Sequence, residues 1–125
     1  PAKLSTGGPS WDGNSNFIIG SSYLRSDTVS LNSSSQQTLV THSASTYRSV
    51  KYNVQITQGS NYHSTEINVI HDGSNVAMGE YGTIFTGSSL ATFDATISSG
   101  NLLLQVTMGS ASSATIKVMS TAVTV

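Results

Sequence analysis

Residues 90–109, LATFDATISSGNLLLQVTMG, constrain the fold more than any other part of the chain. The turn signal SSGN separates two runs in which apolar and polar side chains alternate with the period of two that a half-buried strand requires. Laid antiparallel, Ile97 faces Leu102, Ala95 faces Leu104, Phe93 faces Val106 and Ala91 faces Met108, and all eight are apolar or small. The reverse face sets Thr96 against Leu103, Asp94 against Gln105 and Thr92 against Thr107. A slip of one residue would carry Asp94 and Gln105 into the core, so the side-chain pattern itself fixes the register.

The same period recurs along the chain. Val50, Tyr52, Val54 and Ile56 alternate with Lys51, Asn53, Gln55 and Thr57, one face for the core and one for solvent. In VIHDGSN, residues 69–75, a turn centred on Gly73 and Ser74 sets His71 against Val76, Val69 against Met78 and Ile67 against Glu80. The other face of that hairpin sets Ile70 against Ala77 and Glu66 against Tyr81, leaving apolar groups on both sides. Further strands are expected at 17–19, 22–31, 37–41 and 114–124, and no stretch sustains a helical apolar period.

Seven to nine short strands at regular spacing predict an all-β fold, an antiparallel β-sandwich of jelly-roll-like or related topology. Residues 1–36, with both prolines and the polar joint LNSSSQQ, are expected to form an extended N-terminal arm with one or two strands. Residues 37–125 are expected to form the compact β-sandwich domain. With 125 residues, one core is expected.

Charge narrows the function classes. Charged residues are 9% of the chain and the formal net charge is -1, with Lys3, Arg25, Arg48, Lys51 and Lys117 scattered along it. Nucleic-acid binding and polybasic membrane anchoring both need clustered cations, so neither is expected. There is no cysteine for disulfides or thiolate chemistry. No segment has the roughly 18 consecutive apolar residues of a membrane span, and the start PAKLSTGG has no signal-peptide core. Pro1 in first position points to a processed chain or a fragment.

His42, His63 and His71 lie on separate segments without metal-ligand spacing, and DGSN supplies one carboxylate where a calcium loop needs several. No metal and no cofactor is expected. A GxSxG elbow is absent, and the proposed register turns Glu66 and Glu80 to opposite faces, so no catalytic residue is assigned and the chain is read as non-enzymatic. The pair His71–Asp72 is read as a hairpin corner, with His71 facing Val76 and its ring tip hydrated. Asp accepts hydrogen bonds from the backbone two residues on, and Gly73 takes positive φ without penalty. Trp11, Tyr23, Tyr47, Tyr62 and Tyr81 are amphipathic aromatics set among Ser, Asn and Gln. Trp11, Tyr23 and Tyr62 are the candidate contacts for a glycan or a protein partner, with Tyr62 beside the loop signal Gly59, Ser60 and Asn61.

Four motifs, YRSVKY at 47–52, IHDG at 70–73, EYG at 80–82 and FDATISSGN at 93–101, carry a resemblance spanning about residues 37–125. The chain resembles a domain that recurs near the C-terminus of virion structural and fibre-like proteins of marine tailed bacteriophages. The resemblance implies a non-enzymatic structural or host-contacting part on the exterior of a virion, most naturally a terminal fibre or tail-tip domain. It implies a homotrimer contacting other virion proteins and a host surface glycan, and brings no catalytic residue with it. Two other functions fit the same residues: a head decoration protein that stabilises a capsid, and a carbohydrate-binding module.

Overall fold

A computed structural model describes residues 10–13 and 16–125. Ten strands form two antiparallel sheets: β1 Ser10–Trp11, β2 Asn16–Ile19, β3 Ser22–Leu31, β4 Gln37–Ser43, β5 Tyr47–Gln58, β6 Asn61–His71, β7 Val76–Phe85, β8 Ala91–Ser98, β9 Asn101–Met108 and β10 Ala114–Thr124. The large sheet has seven strands in the order β1-β2-β3-β10-β5-β6-β7, and the small sheet three, β4-β9-β8. The expected sandwich is present. Its strands divide seven to three, so it belongs to the related topologies rather than to the eight-stranded double sheet of a jelly roll.

Both hairpin registers follow the side-chain pattern. Ile97 pairs with Leu102, Ala95 with Leu104, Phe93 with Val106 and Ala91 with Met108. At the β8–β9 turn, Ser99 and Gly100 both have positive φ, the two-residue geometry that matches strand twist. In the β6–β7 hairpin His71 pairs with Val76, Val69 with Met78, Ile67 with Glu80 and Glu66 with Tyr81. Beyond Tyr81, β7 carries an extra residue opposite Thr65, and Gly82, at φ 67°, takes up this bulge.

The core lies between the inner faces. Tyr52, Val54 and Ile56 from β5, Ile67 and Val69 from β6, and Ile116 and Val118 from β10 meet Val40, Phe93, Leu102, Leu104, Val106 and Met108 from the small sheet. Each large aliphatic side chain so buried contributes roughly 1.5–3 kcal/mol. β10 is central because all ten of its pairs with β3 and its run against β5 leave no free edge, and its alternation of buried Ala114, Ile116, Val118, Ser120 and Ala122 with exposed partners suits that place.

The segment 1–36 differs from the expected arm. Its described part contributes three strands rather than one or two, and β3 runs inside the large sheet paired to β10 from Ser22 to Leu31. The reason is β10, whose outer hydrogen-bonding edge would otherwise go unpaired. Residues 1–9, 14 and 15 lie outside the described residues.

Candidate functional site

The three histidines hold backbone and core together at separate places. His71 is only 4% exposed. Its Nδ1 accepts the Gly73 N–H at 3.0 Å, so the neutral ring carries its proton on Nε2, which donates to the Tyr47 carbonyl at 2.6 Å. The hydrated ring tip expected from the sequence is therefore replaced by a buried ring with both nitrogens bonded to backbone. Asp72 forms the turn itself: Oδ1 accepts the N–H groups of Ser74 at 2.9 Å and Asn75 at 2.7 Å. These bonds, with the Asn75 side-chain amide, hold its carboxyl at about 2. A depressed carboxylate pKa stabilises the fold above the ordinary value and loses that contribution as pH falls towards 2. Asp72→Ala should lower the thermal midpoint modestly and remove this acid-range dependence, checked by melting curves at several pH values.

His63, on the inner face of β6, accepts the Leu90 N–H at Nδ1 and packs beside Phe85 and Phe93. Burial lowers its pKa, opposed by the Glu80 carboxylate. His42 faces inward from β4 between Tyr47 and Tyr52. Burial first, and the Arg25 guanidinium second, push its pKa down to about 4, with Asp27 opposing. Arg25 and Asp27 form an ion pair at 3.0 Å on the inner side of β3, and Arg25 Nη1 donates to the Thr41 carbonyl of the small sheet. No group of three potential metal ligands occurs among the described residues.

The carboxylates do not converge. Glu66 lies on the outer face of the large sheet, 3.4 Å from Lys51, while Glu80 turns to the inner side and accepts from Thr65 Oγ1 and Thr83 Oγ1. Asp94 lies on the outer face of the small sheet and accepts its neighbour Ala95 N–H.

The three contact candidates are not brought together. Tyr62 is 50% exposed at the start of β6, in an open groove lined by Gln55, Thr57, Ser64, Ile84, Phe85 and Thr86. Backbone bonds tie it to Thr86, whose Oγ1 accepts the Tyr62 N–H and whose N–H donates to the Tyr62 carbonyl. Trp11 is also exposed, but on β1, five strand spacings from β6, which is roughly 24 Å. Tyr23 points inward from β3, edge-on to Tyr47 at 5.3 Å and against the core, which removes it from any surface cluster.

What sequence reading missed is the rim made by β7. Nine of its ten residues are exposed, because the small sheet stops short of it. Ile84 is 70% exposed, and Phe85, Tyr81 and Met78 are exposed beside Ile70 of β6. The signal was present in the looser alternation of 76–85, where apolar residues fall on both faces.

No family model matches the chain, and no curated protein matches it in sequence. Among solved structures, the fold is similar to part of the tailspike protein of Acinetobacter baumannii phage AM24, with a TM-score of 0.54 and 8% identity over 83% of this chain. It is also similar to part of a tailspike of Acinetobacter baumannii bacteriophage Fri1, a capsular polysaccharide depolymerase, with a TM-score of 0.50 and 15% identity over 82% of this chain. The chain spans 26% and 18% of those two proteins. What the chain shares with these parts of the two tailspikes is the antiparallel β-rich fold.

Proposed function

We propose that the chain is a non-enzymatic structural domain of a bacteriophage virion, a terminal fibre or tail-tip unit on the particle exterior that serves assembly and host attachment. The observation that carries this reading is a tailspike-like sandwich that leaves a ten-residue edge strand bare on both faces. A domain that worked alone would have to cover such an edge. A part repeated in a spike covers it by assembly. Low charge and abundant Ser and Thr suit a surface held in the external medium.

Gold-labelled antibody against the chain, applied to purified particles, tests the placement. Label at the tail tip supports the reading; label over the capsid makes the chain a head decoration protein; particles without label overturn any virion role.

Host attachment has its own test. The Tyr62 groove combines an exposed aromatic ring with Gln55, Thr57, Ser64 and Thr86, the pairing of stacking surface and hydrogen-bonding groups that a sugar ring needs. Excess purified chain should compete with whole phage for the host surface. Tyr62→Ala should weaken that competition tenfold or more, about 1.4 kcal/mol, while changing fold stability by no more than about 0.5 kcal/mol because the side chain is half exposed. Equal competition by wild type and variant would remove Tyr62 from the attachment surface.

A further inference from the structure

Four strand edges face outward among the described residues, and three are blunted. β1 is only two residues long. β4 carries a register shift between Thr38 and Val40, and Arg25 binds its Thr41 carbonyl. β8 presents Asp94, whose carboxylate caps the N–H of Ala95. Short length, bulges and edge charges are the devices by which β-proteins avoid unwanted pairing. β7 is ten residues long and has no Lys, Arg or Pro, and its one bulge, at Gly82, leaves residues 76–81 as an unbroken run of regular strand. Its sole charge, Glu80, is held back against Thr65 and Thr83.

The rim also has relief. Ile70, Ala77, Gly79, Tyr81 and Ile84 share the outer face by register. Ala77 and Gly79 project almost nothing, so an open groove lies above them, bounded by Ile70, Asn68, Thr121 and Val123. At the far end of the same strand, beyond the Gly82 bulge, Ile84 projects with 70% of its surface free. A bump and a hollow thus sit at opposite ends of one edge strand, the hollow having apolar walls at Ile70, Ala77 and Val123 and polar groups at Lys51, Asn68 and Thr121.

We propose that this rim seats a second copy of the same chain, with Ile84 of one copy entering the hollow over Ala77 and Gly79 of the other. Two antiparallel β7 strands related by a two-fold axis make both contacts at once, the self-complementarity of an isologous interface. Ile70, Met78, Tyr81, Ile84 and Phe85 are each 37% to 70% exposed. At roughly 200 Å² for a large side chain they present on the order of 500 Å². The β7 backbone and the walls of the hollow add to this, toward the roughly 800 Å² per partner of a standard interface. The contact supplies the assembly that a virion part requires, but it follows from this rim alone, so particle labelling and self-association can fail independently.

The test is the solution mass of the full chain by sedimentation across micromolar concentrations, for wild type, Ile84→Lys and Gly79→Glu. Gly79 has ordinary φ and open space around its Cα, so the added side chain fills the hollow without straining the backbone. Wild type is expected to exceed the 13.0 kDa monomer, and each variant to weaken association tenfold or more with unchanged circular dichroism and melting. Mixing the two variants should restore association, because Lys at 84 of one chain then meets Glu at 79 of the other. A wild type that stays at 13.0 kDa, an oligomer that neither variant weakens, or a mixture that fails to recover overturns the contact.

Discussion

Acidifying the protein from pH 7 to pH 4 is expected to remove roughly 3 kcal/mol of folding stability through one side chain, His42. The ring is 3% exposed and its pKa lies at about 4 against an ordinary 6.5. Between those values the unfolded chain binds a proton at His42 and the folded chain does not. Stability is therefore complete above pH 6.5, falls as pH drops through that window, and levels off below about 4. The first cause is burial among Tyr47 and Tyr52, where no water can solvate an imidazolium; the second is the Arg25 guanidinium. His42→Phe keeps an aromatic ring against both tyrosines and removes the titration. Urea unfolding of the variant at pH 7, 6, 5 and 4 should show a much shallower slope, the remainder coming from His63, whose pKa burial also lowers. Parallel wild-type and variant curves would show that His42 does not drive the acid loss.

The fold was legible where alternation was strict and one face was buried. Phe93 opposite Val106 and Ala95 opposite Leu104 follow from the sequence because a slip of one residue would bury Asp94 and the SSGN turn sets where the strands reverse. β3 was not legible as sandwich. Its inward row, Tyr23, Arg25, Asp27, Val29 and Leu31, contains an ion pair, and Arg25 and Asp27 read as solvent residues until the small sheet provides Thr41 as a partner. The direction of Tyr23 was not legible for the same reason: it turns inward through pairing with Ala122 of β10, nearly a hundred residues away. Tyr62 was legible because the Gly59 and Ser60 turn puts it at a strand start, where side chains meet solvent. Ile84 and Phe85 were not, because apolar residues in a strand read as core unless the extent of the facing sheet is known. That extent, seven strands against three, is set by long-range pairing and leaves no local trace.

Removing the His71 ring is expected to cost about 3 kcal/mol. The imidazole joins the start of β5 to the β6–β7 turn by two backbone bonds, to Tyr47 O and from Gly73 N, while Arg48 Nη1 donates to the carbonyl of His71 itself. His71→Ala leaves the part-buried Tyr47 carbonyl and Gly73 N–H without their partner and opens a cavity of ring size, together worth about 3 kcal/mol. His71→Phe separates the two contributions: it refills the volume, so the loss that remains, about 1–2 kcal/mol, belongs to the hydrogen bonds. Denaturant titration of both variants at pH 7 makes the comparison. Because the ring's two nitrogens are both committed to backbone, added zinc should leave the wild-type melting temperature unchanged. A rise with zinc that His71→Ala abolishes would mean that the ring abandons the corner for a metal, since ligands stabilise only the state that binds them. With the bonds intact, the corner keeps β7 in register from His71–Val76 onward, and that register is what carries Ala77, Gly79 and Ile84 to the same face of the rim.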